Sequence, residues 1–328
     1  MRYFTKITVS NVRLSANLLL MKKAYLVTGS RTPFFKAGTD AKHIHAADLG
    51  QIALSDALAK LDVPRRDLNS SIDEVIVGNT GTPSDAVNIA RVVALRAGLS
   101  ERISAYSVHR NCASALESVA QAVLKVQSGR ADVIVAGGTE NMSQMPLLYN
   151  KNSIQFFEKM SKAKTGGQRL SLLSKLPLKS FLKPRVSLLE GLTDPFVHIN
   201  MGQTAEVLAK DFNISRSEQD SFALDSHKKS TRAIKEGLFS DEMMKFSVPP
   251  KFSQVVDWDT GVRQEQTIEA LTKLRPFFDK KFGSITAGNS SQITDGAAMV
   301  IIASEEGLAK LGNVKPLAII KDLSLIHI

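Results

Sequence analysis

The stretch SVHRNCASALESVAQAVLKVQSGRADVIVAGGTE, residues 107–140, decides the fold. It predicts the end of a strand, a sharp turn at Cys112, a helix, and a buried strand that ends in two glycines. Apolar residues recur at helical spacing after the turn: Leu116, Val119, Val123 and Val126. Gly129 follows them as a helix stop. The run DVIVAGG is apolar and rich in β-branched residues, as in a parallel strand covered on both faces.

Cys112 is the only cysteine of the chain and stands where the predicted helix begins. A sulfur there faces unpaired backbone N–H groups and the positive end of the helix dipole. Both favour the thiolate, which is the nucleophilic form. The alternative is a buried and inert cysteine, because free cysteines are often buried. Position alone does not separate these two interpretations.

Strands and helices alternate on both sides of this stretch. Strands are predicted at 24–28, 72–78, 105–108, 131–136 and 298–303, and helices at 46–61 and 85–97. Such alternation argues for βαβ units and a mixed or parallel sheet. Reactive groups in such sheets gather at the carboxyl ends of strands, which is where Cys112 lies. A last strand at 316–320 is predicted to cross towards a second half of the protein.

The composition is that of a soluble globular protein, with 43% hydrophobic and 23% charged residues among 328. No stretch is apolar for long enough to span a bilayer. A single cysteine excludes an intrachain disulfide and a cysteine-based metal cluster. No histidine or acidic cluster has the spacing of metal ligands, so no metal site is expected.

The net charge of +10 is concentrated in one segment. Residues 151–186 carry nine lysines and arginines and one acidic residue, and the rest of the chain is nearly balanced. Nucleic-acid binding is a poor interpretation, because no nucleic-acid module accompanies the charge. The segment is either a solvated surface helix over a hydrophobic neighbour or a basic amphipathic surface for a membrane or partner. Pro177 and Pro184 limit its helices to short pieces.

Five motifs together resemble the thiolase family. They are R-T-P-F at 31–34, N-C-A-S at 111–114, V-A-G-G-T-E-N-M-S at 135–143, M-G-Q-T-A-E at 201–206, and T-A-G-N-S-S at 286–291 followed by D-G-A at 295–297. Ala115 stands where the family usually has glycine. The resemblance runs from Met21 to about residue 323 but covers only the first of the two similar halves of a thiolase.

The resemblance implies an α/β fold of the thiolase N-terminal-half type. Its expected core is a mixed five-stranded sheet with covering helices and an inserted loop domain. The expected parts are an N-terminal extension at 1–20, a core domain at 21–144 and 275–305, an inserted domain at 145–274, and the start of a truncated C-terminal half at 306–328.

Site residues follow from the same resemblance. In thiolases a cysteine placed like Cys112 takes the acyl group as a thioester, and a methionine placed like Met201 packs near it. Arg263 matches an arginine that holds the nucleotide end of CoA, although a plain surface arginine is the alternative. Ala287 and Gly288 are the small residues beside the pantetheine arm, and Ser291 matches the serine that hydrogen-bonds it. CoA is expected as a co-substrate, with no permanently bound cofactor.

The implied function is that of a 3-ketoacyl-CoA thiolase, an acyltransferase of fatty-acid β-oxidation. The alternatives are a biosynthetic acetyl-CoA C-acetyltransferase, a non-catalytic thiolase-like protein that binds CoA or lipid, and a structural subunit. Acyl-CoA and CoA are the expected small-molecule partners, and the intact protein is expected to form a homodimer or a larger assembly.

The stretch KAKTGGQRLSLLSK, residues 162–175, resembles a loop in the β subunit of the fatty-acid oxidation trifunctional complex. In that subgroup the loop is implicated in membrane association and in contact with the hydratase/dehydrogenase α subunit. The same partners are therefore expected for residues 151–186. The expected compartment is the cytoplasm of a bacterium or, alternatively, the mitochondrial matrix.

Both ends of the chain depart from the family. Residues 1–20 hold three basic residues and no acidic one, which indicates a transit peptide or a start placed too early, with Met21 as the favoured start. The later motifs of the family, Asn- or His-Glu-Ala-Phe, Gly-His-Pro and Cys-x-Gly, do not occur. We therefore expect a truncated, inactive chain that aggregates through an exposed sheet face or needs a complementing C-terminal half. His327 lies in an unmatched end and is not taken as catalytic.

Overall fold

The computed structural model describes residues 21–324, so the predictions for 1–20 and for His327 lie outside the described residues. The described chain forms two compact units. The first contains residues 21–30, 51–138 and 298–324, and the second contains residues 31–50 and 139–297. The second unit begins its long segment at 139, close to the predicted insertion start at 145. It extends to 297, past the predicted insertion end at 274.

The strands, in chain order, are β1 Ala24–Arg31, β2 Phe35–Lys36, β3 Glu74–Gly78, β4 Ser104–Val108, β5 Val133–Asn141, β6 Leu147–Leu148, β7 Arg185–Val186, β8 Phe246–Ser247, β9 Val255–Val256, β10 Thr294–Ala303 and β11 Ala318–Ile320. The helices are α1 Ala46–Ala59, α2 Arg65–Ser71, α3 Ile89–Arg96, α4 Ser114–Gln127, α5 Lys151–Lys162, α6 Gly166–Leu173, α7 Leu178–Leu182, α8 Ser187–Gly191, α9 Met201–Asp211, α10 Arg216–Lys235, α11 Ile268–Thr272 and α12 Glu305–Lys310.

One mixed sheet of seven strands has the order β11-β1-β10-β5-β3-β4, with β2 paired to β10. Strand β3 runs parallel to β4 and to β5, with Ile76 opposite Tyr106 on one side and Ala136 on the other. Their carboxyl ends therefore lie at one edge, where Cys112 follows β4. The expected α/β fold class is confirmed.

The expected strand count of five was too low. Strand β2 is only two residues long, and it pairs antiparallel to the start of β10. Strand β11 pairs antiparallel to β1, with Tyr25 opposite Ile319. The strand predicted at 316–320 is therefore present as β11, and that the chain crosses from it towards a second half stays a prediction.

The face that helix α4 buries matches the predicted apolar face only in part. Val126 is buried and Val119 and Val123 pack against the core, but Leu116 is 42% exposed, and the other buried residues are Ser114, Ser118 and Ala122. A Cβ atom at Gly78 would lie 2.2 Å from the Ser114 carbonyl carbon, and one at Gly138 would lie 2.6 Å from the Ala115 Cβ. The helix therefore approaches the strand backbones too closely for large side chains, so its small residues face the sheet.

The core of the first unit is a buried apolar cluster between helix and sheet. It consists of Ala24, Ile76, Ala122, Val126, Ala131, Ile134, Ala136 and Ile302. At about 25 cal/mol for each Å² of apolar surface removed from water, such side chains supply most of the driving force for folding. A buried serine hydroxyl also links helix α4 to strand β5. Ser118 Oγ donates to Gly137 O at 2.7 Å and accepts from Gly137 N at 2.8 Å.

Helix ends follow local capping chemistry. Helix α3 begins at Ile89 rather than at the expected residue 85, because the Asn88 side chain accepts from Arg91 N and caps it. A capping box at Ser215 starts α10. Gly129, with φ of +71°, follows the end of α4 as predicted.

The second unit contains helices α5–α11 and two small two-stranded sheets. Strands β6 and β7 pair with each other, as do β8 and β9. Helix α7 is a five-residue piece between Pro177 and Pro184, in line with the expected breaks. Among the described residues, no helix has the length and apolarity needed to traverse a membrane.

Arg31 of the R-T-P-F motif ties three segments of the second unit together. Its guanidinium forms a bidentate pair with Asp259, at 2.8 and 3.2 Å, and an ion pair with Glu242 at 2.8 Å. The same group lies 5.1 Å from the ring centre of Phe34 and 5.2 Å from that of Phe239. This motif is therefore explained by packing within the described chain.

Asp132 generates a prediction about acid stability. Its carboxylate accepts from Lys310 Nζ and Ser304 Oγ, each at 2.8 Å, and from Lys22 Nζ at 3.4 Å. These contacts, led by Lys310, lower its pKa to about 2. The pKa of this carboxyl is near 4 in the unfolded chain, so the ionised Asp132 stabilises the fold at pH values above about 4. This contribution to the free energy of unfolding disappears as the pH falls to about 2.

We expect Asp132→Asn to reduce the free energy of unfolding at pH 7 by about 1 kcal/mol, a modest value because the group is partly open to solvent. The difference from the unsubstituted chain should shrink between about pH 4 and pH 2. Urea titrations at several pH values measure it, with Glu101→Gln as the exposed control. An equal loss at pH 7 and at pH 2 would contradict this role.

Candidate functional site

Cys112 lies in a turn between β4 and α4 and is exposed. The turn reverses at Asn111, which has φ of +47°, a conformation that asparagine tolerates better than most residues. Helix α4 starts at Ser114, directly after the turn. The alternative of a buried cysteine does not apply, because the side chain is exposed.

Hydroxyl groups hold the carbonyl of Asn111, the residue before the sulfur. Ser114 Oγ donates to Asn111 O at 2.6 Å and accepts from Arg110 N at 2.8 Å. Thr80 Oγ1, just beyond the end of β3, donates to the same carbonyl at 3.0 Å. Cys112 is therefore presented by a turn that is tied both to its own helix and to a neighbouring strand end.

Charged and titratable groups surround this turn. Arg110 forms an ion pair with Glu117 in the first turn of α4. His109 is exposed, and its Nδ1 accepts from Asn111 N at 3.4 Å.

A second feature is a pocket of about 630 Å³ within the second unit. It is lined by Lys36, Phe222, Ala223, Ser226, His227, Gly261, Arg263, Ala287, Gly288, Asn289, Ser290, Ser291, Gln292 and Ile293. Lysine, arginine and histidine side chains meet there with serine hydroxyls and an exposed phenylalanine ring. This lining suits an anionic ligand that also has a flat or apolar part.

Burial, together with the positive charge of Arg263, holds the pKa of His227 below its ordinary value. The imidazole is therefore neutral near pH 7, and its Nδ1 accepts the Arg263 backbone N–H at 3.2 Å. This hydrogen bond ties the arginine-bearing loop to helix α10. Arg263 itself is exposed, so its guanidinium is open to a ligand.

Carboxylates from helices α9 and α10 hold the loop at 284–291 by hydrogen bonds. The Glu206 carboxylate of α9 accepts from Ser284 N at 2.9 Å and from Ile285 N at 3.0 Å. Asn289 Nδ2 donates to the buried Asp220 carboxylate of α10 at 3.0 Å. The motif residues Glu206 and Asn289 therefore shape this wall of the pocket.

The structure brings together four of the predicted ligand-binding residues. Arg263, Ala287, Gly288 and Ser291 all line the pocket. A Cβ atom on Gly288 would lie 2.5 Å from Leu274 Cδ1 and 2.6 Å from Leu271 Cδ2, so a larger residue there would require these two side chains to shift. Met201 does not line it, but lies at the exposed first position of α9.

Sequence reasoning missed Lys36 and His227 as pocket residues. Lys36 follows the R-T-P-F motif by two positions, and His227 lies in helix α10. Gln219 and Asp220 of the same helix bond to the loop at 284–291. Among residues 21–324, no group of three or more histidine, cysteine and acidic side chains could hold a metal ion.

Comparisons with known proteins agree on one family. Residues 24–306 match the model of the thiolase N-terminal domain. The 3-ketoacyl-CoA thiolase of Yersinia enterocolitica is 38% identical over 299 residues, which cover 91% of this chain and 66% of that protein. The chain therefore spans just under two thirds of the length of this relative.

Two crystal structures illustrate the structural similarity. Human mitochondrial 3-ketoacyl-CoA thiolase in complex with CoA has a TM-score of 0.77 and 34% identity, covering 92% of this chain and 69% of that one. The Bacillus anthracis acetyl-CoA acetyltransferase has a TM-score of 0.77 and 31% identity, covering 92% and 70%.

The Glu206 contacts lead to a second prediction. Glu206→Gln removes the charge that strengthens two backbone hydrogen bonds and replaces one acceptor oxygen by a donor. We expect about 1–2 kcal/mol lower stability and faster amide exchange at 284–291, measured by mass spectrometry. Glu236→Gln, at an exposed position after α10, is the matched control. Unchanged exchange in the loop would show that Glu206 does not hold it.

Proposed function

The chain belongs to the thiolase family, and on this premise we propose that it carries the nucleophile of an acyltransferase. The proposed activity is thiolytic cleavage of 3-ketoacyl-CoA to acetyl-CoA and a shortened acyl-CoA. The observation that carries the proposal is the exposed sulfur of Cys112 on a turn directly before helix α4.

Nucleophilic catalysis explains why a sulfur belongs at this position. The Cys112 thiolate attacks the 3-keto carbonyl, and a carbon–sulfur bond forms. The bond between carbons 2 and 3 then breaks, and acetyl-CoA leaves as its enolate, which takes up a proton. The thiolate of a second CoA attacks the acyl-enzyme, takes the acyl group and releases the Cys112 thiolate.

Negative charge develops on the carbonyl oxygen during both acyl transfers. A backbone N–H that points at this oxygen lowers the barrier, because it is already oriented before the reaction. We propose that the Cys112 N–H is one such donor. The turn supports this role, because the adjoining Asn111 carbonyl is held by hydroxyl donors.

We propose that the pocket of the second unit binds the nucleotide part of CoA. The human relative has been crystallised with CoA, and the pocket residues Arg263 and Lys36 provide positive charge for phosphate groups. The small residues Ala287 and Gly288 leave room for the pantetheine arm, and the exposed Ser291 offers it a hydroxyl. No role is assigned to Met201 beyond the family expectation that it lies near the acyl group.

A biosynthetic acetyl-CoA acetyltransferase is the second candidate. The Bacillus anthracis acetyl-CoA acetyltransferase has the same TM-score as the human thiolase, so the fold alone does not separate the two candidates. The chemistry is the same in reverse, so the two candidates differ in chain length. A series of 3-ketoacyl-CoA substrates, compared by kcat/KM, separates them.

The Cys112 assignment makes a direct prediction. Incubation of the chain with acetyl-CoA or 3-ketoacyl-CoA should add one acyl group, detected by intact-mass spectrometry and removed by hydroxylamine. Cys112→Ser should reduce this labelling by more than about a hundredfold, because a hydroxyl is a far weaker nucleophile than a thiolate. Labelling that persists in Cys112→Ser rejects the assignment. CoA binding without any acylation would favour the non-catalytic alternative.

We further propose that residues 151–186 form a docking surface for an anionic membrane surface. Helices α5–α7 carry a surplus of basic residues beside exposed leucines, of which Leu170 is 71% and Leu182 is 76% exposed. Four aromatic rings in and next to this segment pack edge to face with one another: Tyr149, Phe156, Phe157 and Phe181. Basic residues next to apolar ones are typical of segments that lie in a membrane interface. The alternative partner of this surface is a hydratase/dehydrogenase α subunit. We also propose that the intact protein forms a homodimer and is located in the cytoplasm of a bacterium.

Charge reversal tests the docking surface. Lys159→Glu with Lys162→Glu should weaken sedimentation with vesicles of phosphatidylglycerol by at least about thirtyfold, since each of the two lysines contributes about 1 kcal/mol near an anionic surface. Lys228→Glu with Lys235→Glu, exposed on α10, gives the same change in net charge and serves as control. Equal effects of both pairs would indicate unspecific attraction. Failure of the unsubstituted chain to bind such vesicles would refute membrane docking.

A further inference from the structure

Thr80 contacts the reactive turn from outside it. The residue follows β3 by two positions, and its hydroxyl donates to Asn111 O at 3.0 Å. The other donors to this carbonyl, Ser114 Oγ at 2.6 Å and Ser114 N at 3.1 Å, belong to the helix that the turn itself begins. Thr80 is therefore the contact that relates the carbonyl to the sheet.

The direction of the Asn111 carbonyl determines the direction of the next N–H. The carbonyl of Asn111 and the N–H of Cys112 belong to one planar trans peptide unit, in which they point in opposite directions. A donor that holds the oxygen on one side therefore aims the N–H to the other side. A rotation of this peptide plane would misdirect the N–H by the same angle.

This peptide needs such a restraint. Asn111 has φ of +47°, in the left-handed region, so the turn is held away from the commoner backbone conformations. The stretch that carries Thr80 is itself anchored, because Asn79 N donates to Val108 O at 3.2 Å and continues the pairing of β3 with β4. The hydroxyl thus reaches the turn from a fixed strand end.

We propose that Thr80 is a positioning residue, which aims the Cys112 N–H at the oxyanion of the acyl-transfer step by holding the Asn111 carbonyl. The inference rests on the proposed role of Cys112 as the nucleophile. Thr80 touches neither the sulfur nor the substrate in this role, so its removal should slow oxyanion-forming reactions selectively.

The reaction rates of Cys112 with two reagents distinguish an effect on the direction of its N–H from an effect on the accessibility of its sulfur. With p-nitrophenyl acetate, Cys112 Sγ bonds to the carbonyl carbon, an oxyanion forms, and nitrophenolate leaves as the carbon–oxygen bond breaks. With iodoacetamide, the same sulfur displaces iodide and no oxyanion forms. In both reactions the thiol proton goes to the buffer. Cys112 is the only cysteine, so Cys112→Ser gives the background rate of each reagent.

Thr80→Val keeps the shape of the side chain and removes the hydroxyl. We expect the rate with p-nitrophenyl acetate to fall about threefold to tenfold, the effect of losing one hydrogen bond. The rate with iodoacetamide should change by less than about twofold. Thr80→Ser should restore the first rate. All rates are compared at one pH, because His109, Arg110 and Glu117 lie around the turn and are the same in every variant.

Thr193→Val is the matched control. Thr193 Oγ1 also donates to a backbone carbonyl, that of Leu189 at 2.8 Å, and it lies in the other unit. It should leave both rates unchanged. A parallel fall of both rates in Thr80→Val, or no fall in either, overturns the positioning role. If Thr80→Val does not fold, Thr80→Ala and Thr80→Ser are compared in the same way.

The outcome is separable from that of the proposed function. If acetyl-CoA does not acylate Cys112, the acyltransferase proposal fails, yet the ratio of the two reagent rates still reports on the direction of the N–H. If acetyl-CoA acylates Cys112 and Thr80→Val leaves the ratio unchanged, only the role of Thr80 fails.

Discussion

The close approach of helix α4 to strands β3 and β5 is the constraint on which the site depends. Gly78 and Gly138 leave no room for side chains between these strand ends and the first turn of the helix. The helix start therefore lies directly on the sheet, and the turn before it must reverse within a few residues. The positive φ of Asn111 and the exposure of Cys112 both follow from this geometry.

Much of this arrangement could be predicted from local patterns. Alternating apolar strands, the cysteine at a helix start, the capping box at Ser215 and the glycine stop at Gly129 are signals within a few neighbouring residues, and the structure contains each of them. Apolar spacing identified Val119, Val123 and Val126, which pack in or against the core, but it failed at the start of α4. Contact with a glycine backbone selects small residues there, so Ser114 and Ser118 are buried and Leu116 is exposed.

The sequence patterns did not predict which distant segments of the chain pair with each other. Strand β11 joins β1 across most of the chain, and apolar periodicity does not tell which edge a short strand will meet. Glu206 and Asn289 hold the loop at 284–291 through buried hydrogen bonds, and nothing in their local sequence names the partners. Lys36 and His227 line the pocket, but the residues near them in the sequence make structural contacts, so the local pattern does not indicate a ligand.

The division of the chain into interleaved units has a consequence for its synthesis on the ribosome. Residues 31–50 emerge early but belong to a unit whose remaining part, 139–297, is made much later. Since a chain grows by about 5–20 residues per second, this early segment waits for seconds without its partners. Arg31 in particular must wait for Glu242 and Asp259, so a nascent chain depends on protection of that segment until translation has passed them.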